Sequence, residues 1–285
     1  MSARLRFPGI VDHLVLPVNS LRTARKRLTQ LGFTVAADAQ HPFGTENACV
    51  FFADQTYLEP LAIASKPIYE HAASNGNAFV ALDAMFRDCR DEGLSSIAFA
   101  SQDAVADHQW FSQQGISAGD LFEFARMMVL PDGRQGEGRF RLAFAKDENM
   151  AQFFSFTCQR VQPLPSDRGS LERHANGVTG LAKIDFRAAK PSLFAGYFER
   201  ICGPVQTEEV GLSVEAQNLH LTIRAAPATE PSDGGLIASR LVFKVEDLDM
   251  AQTLLRTNGV DYTHKDRQLL VRQAPGQGVD FAFEE

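Results

Sequence analysis

The stretch GIVDHLVLPVNSLRTARKRLTQLGFTVAADAQHPFGTENACVFFADQTYLEPLAI, residues 9–63, decides the fold. Apolar side chains alternate along 11–18, which is typical of a strand with one buried face. Ser20 suits the N-cap of a following helix, and Gly32 suits its C-terminal end. Three strand-like runs come next, at Phe33–Ala36, Ala48–Ala53 and Thr56–Ile63. The stretch therefore predicts one β-α-β-β-β unit.

His13 and Glu59 are the chemically informative pair in this unit. His13 lies near the start of the first strand, and Glu59 is a charge inside an otherwise mostly apolar last strand. The two side chains converge if the sheet curls into a half-barrel. An imidazole and a carboxylate suit zinc, iron(II), nickel or manganese, so the pair indicates a divalent metal site. The other interpretation is a hydrogen-bonded core histidine beside an edge-strand carboxylate.

The rest of the chain repeats the unit three more times. Second, third and fourth copies begin near Leu94, Gly177 and Leu236. Fold class is therefore predicted as α+β, with paired βαβββ units forming curved mixed sheets in two tandem domains. The predicted boundaries are 5–160 for the first domain, 161–176 for a linker rich in prolines and polar residues, and 177–285 for the second domain. The functional cleft is expected in the first domain, and the second is expected to be degenerate and mainly structural. His174 and Asn176 are expected to tie the two domains together.

The chain has 285 residues, and its composition and the pattern of its apolar runs predict a soluble, cytoplasmic protein. Hydrophobic residues make up 45% of the chain and charged residues 22%, with a net charge of −7. This charge argues against broad binding of nucleic acids or anionic membranes, but not against a local basic pocket. The N-terminus lacks the apolar core of a signal peptide, and no apolar run approaches the length of a membrane span.

The order of elements and four short motifs resemble the vicinal oxygen chelate superfamily, and most closely its glyoxalase-like branch. The motifs are Val11-Asp12-His13-Leu14-Val15, His41-Pro42-x-Gly44-Thr45-x-Asn47, Tyr57-Leu58-Glu59 and His174–Leu181. The resemblance implies that two units face each other around a U-shaped cleft. It also implies a divalent metal (Zn, Fe(II), Ni or Mn) held on first and last strands, with His13 and Glu59 as ligands.

The second unit departs from the ligand pattern of the superfamily. Its first strand carries Ser96 at the position of His13, and its last strand offers Gln159 or Cys158. His41, on a loop beside Pro42, is a candidate general base, ligand or hydrogen-bond partner of the substrate. Glu59 and His41 are the candidate catalytic groups. The pattern leaves metal binding open.

Four residues are candidates for substrate binding: Asn47, Arg139, Arg141 and Gln159. Arg139 and Arg141 share one face of a strand, because side chains alternate along strands. If that face lines the cleft, they would grip a carboxylate or phosphate; the alternative is a solvated outer face.

Two hypotheses from different classes follow. The first is a metal-dependent enzyme, a glyoxalase-like lyase or isomerase that stabilises an enolate or oxyanion of a small oxygenated metabolite. A dioxygenase is less favoured, since a second histidine ligand is missing. The second is a metal-free protein that binds and sequesters a small molecule in the same cleft. The partner is a small molecule in both cases, and a homodimer is compatible with either.

Overall fold

The computed structural model describes residues 9–129, 135–162, 168–227 and 235–285. Residues 5–8 of the predicted first domain and 163–167 of the predicted linker lie outside this set. No helix in the described part of the chain is long and apolar enough to cross a membrane.

Nine strands from the first half of the chain build one curved mixed sheet. They are β1 (Val11–Pro17), β2 (Ala39–Gln40), β3 (Thr45–Asn47), β4 (Val50–Phe51), β5 (Tyr57–Ile63), β6 (Ser96–Ser101), β7 (Phe122–Val129), β8 (Gln135–Ala145) and β9 (Phe154–Arg160). The strand order is β2-β3-β5-β1-β6-β9-β8-β7, with β4 beside β5. β1 pairs in parallel with β5, β6 pairs in parallel with β9, and β1 joins β6 antiparallel. The two predicted units thus meet at the centre of the sheet.

Four helices accompany this sheet: α1 (Leu21–Gln30), α2 (Lys66–Ser74), α3 (Ala78–Cys89) and α4 (Ala104–Gln113). The predicted cap is confirmed, because Ser20 Oγ accepts from the Thr23 backbone N–H at 3.3 Å. α2 and α3 lie in the connection between the two units. Their apolar side chains join one core cluster with the aromatic residues of β7, β8 and β9.

Eight strands from the second half form a second sheet. They are β10 (Val178–Ala188), β11 (Val205–Glu208), β12 (Gly211–Glu215), β13 (His220–Ala225), β14 (Ile237–Val245), β15 (Thr263–Lys265), β16 (Gln268–Val271) and β17 (Asp280–Glu284), with helices α5 (Ala195–Ile201) and α6 (Leu248–Thr257). The order β11-β12-β13-β10-β14-β17-β16-β15 repeats the first sheet. The predicted α+β class with two tandem pairs of units is confirmed.

His174 and Asn176 connect the two halves, as the sequence predicts. The Thr34 backbone N–H donates to His174 Nδ1 at 3.0 Å, and His174 Nε2 donates to the Phe51 carbonyl at 2.9 Å. Asn176 Nδ2 donates to the Leu31 carbonyl at 2.9 Å. These contacts fix the second sheet against the loop that follows α1.

The predicted strand Phe33–Ala36 is wrong, because this segment is a partly buried loop. Phe33 packs edge-on against Phe52 and Phe243, and so carries the core across both sheets. The carbonyl oxygens of Val35 and Ala36 accept from the Arg25 guanidinium at 3.1 and 2.6 Å. An arginine therefore satisfies backbone groups that a neighbouring strand would otherwise satisfy.

Candidate functional site

β1 and β5 place His13 and Glu59 together on the concave face of the first sheet. In the parallel register, Tyr57 lies beside His13 and Glu59 beside Val15, and residues in register share one face. His13 Nε2 lies 3.2 Å from Glu59 Oε2. His13 and Glu59 are both buried, at 3% and 7% exposure. The convergence expected from the sequence is thus present.

His13 bridges two carboxylates. Its Nδ1 donates to Asp12 Oδ2 at 2.7 Å, and its Nε2 faces Glu59. Burial alone would lower the pKa of His13, but the hydrogen bonds to Asp12 and Glu59 raise it above its usual value. Because both ring nitrogens face carboxylates, His13 is held as an imidazolium.

Asp12 is held in turn by Arg160. The Arg160 guanidinium donates to both carboxylate oxygens of Asp12, at 2.8 and 3.0 Å. Burial opposes ionisation of Asp12, but its contacts with His13 and Arg160 set its pKa well below the usual range. Arg160 reaches Asp12 from β9, so this bidentate pair ties the second unit to the first.

The other carboxylate oxygen of Glu59, Oε1, has two neighbours, Asn47 and His41. Asn47 Nδ2 donates to Glu59 Oε1 at 2.5 Å, and His41 Nε2 lies 3.7 Å from the same oxygen. Burial alone would raise the pKa of Glu59, but the hydrogen bond and charge of His13, with help from His41 and Asn47, lower it to about 2. Glu59 is therefore a carboxylate at neutral pH.

His41 is the neutral histidine of the site. Its Nδ1 donates to Thr45 Oγ1 at 2.9 Å, and its Nε2 accepts from Arg126 Nη1 at 3.2 Å. Burial and the nearby positive charge of Arg126 lower the pKa of His41 to about 4, although Glu59 acts in the opposite direction. Gly44 shapes this loop: its φ is +90°, and a Cβ there would lie 2.5 Å from the Tyr69 backbone nitrogen.

Arg126 is a site residue that the sequence did not single out. It lies on β7, on the same face as Phe122 and Phe124, and donates to Asn47 Oδ1 at 3.4 Å as well as to His41. Its Nε–H is buried and has no hydrogen-bond partner among the described residues. The signal was available in the alternation Phe122, Phe124, Arg126, which sets a cation at the end of an aromatic face.

Aromatic side chains form most of the pocket around these groups. The pocket has an empty volume of about 400 Å³ when counted out to its mouth. Its walls are His13, His41, Phe43, Tyr57, Glu59, Phe79, Phe124, Arg126, Phe140, Leu142, Phe156 and Cys158. Tyr57 stacks on His13 with ring centroids 4.4 Å apart, and Phe43 stacks on His41 at 4.9 Å. A flat apolar ligand would therefore meet rings on several sides.

The other three predicted substrate-binding residues lie outside the pocket. Arg139 and Arg141 share one face of β8, as alternation requires, but it is the face opposite Phe140 and Leu142. Arg141 Nε donates to Glu123 Oε2 at 2.8 Å, and Arg139 Nη2 donates to Glu137 at 3.3 Å. These are surface ion pairs.

Gln159 is in register with Arg141 and lies on that same outer face. Its Oε1 accepts from the Ala104 backbone N–H at 3.1 Å, and its Nε2 donates to the Gln102 carbonyl at 2.8 Å. Gln159 thus holds the start of α4. Of the four predicted substrate-binding residues, Asn47 is the one that reaches the site.

The residues present do not fit the metal that the fold family implies. The described residues contain no group of three or more His, Cys, Asp or Glu side chains that could surround a metal ion. The second unit turns Phe156 and Cys158 toward the pocket, and burial raises the pKa of Cys158 to about 12, so its thiol stays protonated. His41 would be the next ligand to consider, but its Nε2 atom, which would have to bind the metal, contacts the Arg126 guanidinium. His13 and Glu59 alone leave the coordination shell incomplete.

Comparison with known proteins identifies the family. A family model described as a glyoxalase-like domain matches residues 11–202, so the chain belongs to this family. Its fold is that of the vicinal oxygen chelate superfamily, as the sequence motifs indicate. No curated protein matches the sequence.

Two solved structures illustrate the likeness of fold. A hypothetical protein from Staphylococcus aureus superposes with a TM-score of 0.69 at 10% identity, covering 96% of this chain and 98% of that one. A mutant of 4-hydroxymandelate synthase from Streptomyces coelicolor superposes with a TM-score of 0.61 at 12% identity, covering 96% and 91%. At such low identity the likeness concerns the fold.

Proposed function

We propose that the N-terminal pocket binds a small aromatic carboxylate, and that the protein recognises or sequesters this molecule without a resident metal. This is the binding-protein hypothesis of the sequence analysis, with the ligand class now specified. The described residues contain no group of three or more His, Cys, Asp or Glu side chains that could hold a metal ion, which supports the metal-free hypothesis over the metal-dependent enzyme.

The observation that carries the proposal is the unbalanced charge of Arg126. Asp12 pairs with Arg160, and Glu59 pairs with the His13 imidazolium, so these four charges cancel. His41 is neutral at pH 7, because its pKa is about 4. Arg126 forms no ion pair within the described part of the chain, and its Nε–H has no partner there. A half-buried cation that has no counter-charge and one unpartnered buried N–H favours an anionic ligand.

The walls of the pocket specify the rest of the ligand. Phe43, Phe79, Phe124, Phe140 and Phe156 offer ring faces and edges. Aromatic side chains prefer offset-stacked or edge-to-face contact with other rings. A planar ring that carries a single carboxylate matches an apolar cage with one arginine at its side.

Calorimetric titration with benzoate, 4-hydroxybenzoate and phenylpyruvate tests the proposal. We expect benzoate to bind about tenfold or more tightly than benzamide, its neutral counterpart, because a charged hydrogen bond to Arg126 is lost. Arg126→Gln should remove this difference. Arg141→Gln, which removes the same charge from the outer face of the same hairpin, is the matched control and should bind as the wild type does.

Two results would overturn the proposal. One is equal binding of benzoate by the wild type and Arg126→Gln, or no binding of any of the three acids. The other is about one equivalent of a divalent transition metal in protein purified without tag or chelator, lost in Glu59→Gln. The second result would restore the metal-dependent enzyme.

A lyase or isomerase that works by proton transfer is the second candidate. It is favoured by the hydrogen-bonded His13–Glu59 pair, because the two groups have pKa values moved in opposite directions within one pocket. We would follow exchange of the acidic C–H of phenylpyruvate into deuterated water by NMR. Exchange that is faster with the wild type than with Glu59→Gln supports the enzyme, and equal exchange contradicts it.

A further inference from the structure

The concave face of the second sheet forms a cleft that the sequence analysis did not anticipate. Its empty volume is about 1060 Å³ counted out to its mouth. Five basic side chains line it: Arg187, Arg224, Arg240, Lys265 and Arg272. Two acidic residues, Asp266 and Asp280, line it as well. Basic groups therefore prevail here, in a chain whose net charge is −7.

Strand register sets two of these arginines side by side. β10 and β13 pair in parallel, with Arg187 in register with Arg224, so both point to the same face of the sheet. Neighbouring strands are about 4.8 Å apart, and like charges directly beside each other are destabilising. Arg187 has another interaction, so Arg224 is the cation that a ligand would meet first. Arg224 is exposed and has no ion-pair partner among the described residues.

Two further arginines are fixed in place by acidic partners. Arg240 Nε donates to Asp185 Oδ2 at 2.8 Å, and Arg240 Nη1 contacts Gln268 Oε1 at 3.5 Å. Arg272 Nη1 donates to Asp280 Oδ2 at 2.7 Å. A guanidinium has five N–H donors in a planar fork, so both side chains keep donors for a ligand. Arginines that are held by carboxylates pay less conformational entropy when they bind an anion.

We propose that this cleft binds a small phosphorylated molecule through Arg224, Arg272 and Arg240. Several guanidinium forks around one cavity can each take two oxygens of a phosphate group. The unpaired charge of Arg224, beside arginines that keep free N–H donors, suits a phosphate group. This site is separate from the N-terminal pocket, because all of its lining residues lie between Arg187 and Asp280 in the second half of the chain.

Calorimetric titration of the full chain with inorganic phosphate and with pyrophosphate, at low ionic strength, tests the proposal. We expect saturable binding that is tighter for pyrophosphate and that weakens as sodium chloride is added. Arg224→Gln should weaken binding about tenfold or more, because it removes a charged hydrogen-bond donor. Arg272→Gln should weaken it in the same direction.

Arg256→Gln is the matched control. Arg256 is an exposed arginine on α6 in the same domain and does not line the cleft, so this variant should bind as the wild type does. The proposal is overturned if neither phosphate compound binds, or if Arg224→Gln and Arg272→Gln bind like Arg256→Gln. It is also overturned if a single-stranded oligonucleotide or an acidic peptide binds at Arg224 and pyrophosphate does not, since the cleft would then take a macromolecule. Circular dichroism of each variant establishes that it is folded.

Discussion

The two sheets have equivalent strand orders, but the side chains on their concave faces differ in chemistry. In the first sheet this face is aromatic, and α2 and α3 contribute Tyr69, Phe79 and Leu82 to the same core cluster. In the second sheet the corresponding face is polar and basic, and it forms the larger cleft. Backbone pairing thus fixes the curvature of each sheet, and the side chains on one face decide what the cleft can hold.

Each sheet also carries a charge pair near its centre. His13 and Glu59 occupy adjacent parallel strands of the first sheet. In the second, Asp185 on β10 accepts from Thr222 on β13 at 2.6 Å and from Arg240 on β14 at 2.8 Å. The equivalent region therefore carries a histidine and a carboxylate in one domain and an arginine and a carboxylate in the other.

The largest expected effect comes from truncating an aromatic residue of the first face. Phe156 is 2% exposed and contacts His13, Phe79 and Phe144. Phe156→Ala should cost about 3–5 kcal/mol, because it removes apolar contacts and leaves a cavity. Leu270→Ala, on the half-buried face of the second cleft, should cost about 1 kcal/mol. Guanidinium unfolding followed by circular dichroism measures both, and equal costs would contradict the contrast between a filled and an open face.

The buried pair gives the next effect in size. Glu59→Gln leaves the His13 imidazolium with one carboxylate instead of two, so we expect a loss of about 3 kcal/mol of unfolding free energy. Glu123→Gln removes a carboxylate from an exposed ion pair and should change stability by less than about 1 kcal/mol. The same unfolding measurement at pH 7 compares them. Equal losses in the two variants would show that the His13–Glu59 pair contributes no more to the free energy of unfolding than a surface ion pair does.

The pH dependence of stability separates His41 from His13. The folded-state pKa of His41 is lowered from 6.5 to about 4, so below pH 6.5 the unfolded chain takes up a proton that the folded chain does not. His41 should therefore cost about 1 kcal/mol of stability at pH 5.5 relative to pH 7. The pKa of His13 is raised, so its stabilisation is complete below pH 6.5 and is lost as the pH rises through its folded-state value.

Unfolding curves from pH 5 to 8 test these opposite pH dependences of His41 and His13. His41→Gln should flatten the loss of stability below pH 6.5 and leave the alkaline side as it is. His71→Gln, at a histidine on α2 outside the pocket, is the control. An unchanged acid slope in His41→Gln would mean that the neutral state of His41 is not enforced by the fold.

Much of this architecture could be predicted from local sequence patterns. Ser20 and Gly32 bound a helix because capping and positive φ depend on single residues. His13 and Glu59 could be placed together because first and last strands of the unit pair in parallel. No local pattern marks their partners Asp12 and Arg160 as a pair. Their pairing depends on the meeting of two units, because Asp12 and Arg160 lie 148 residues apart in the chain.

What the sequence could not decide is which face of a strand meets the cleft. Alternation shows which residues of a strand share a face with Arg126 and which share a face with Arg141. Which of these faces lines the pocket depends on how the β7–β8 hairpin joins β9 in the curved sheet. The aromatic neighbours Phe122 and Phe124 give the clue, since apolar side chains mark the inner face. The basic cleft of the second sheet was missed for the same reason. Alternating arginines on strands are typical of a solvated face, and the sequence does not show that the sheet curves around them to form a cleft.

The smallest expected effect tests this assignment of faces. Arg141→Gln removes a side chain that pairs with Glu123 at 2.7 Å on the outer face. Exposed ion pairs contribute about 0–1 kcal/mol, so the loss of stability should be at or below that range, and benzoate affinity should stay at the wild-type level. A drop in benzoate affinity in Arg141→Gln, with no drop in Arg126→Gln, would reverse the inner and outer faces of the hairpin. Because both variants remove one positive charge from the same hairpin, a change in net charge would affect them equally and leave the assignment of faces as the explanation.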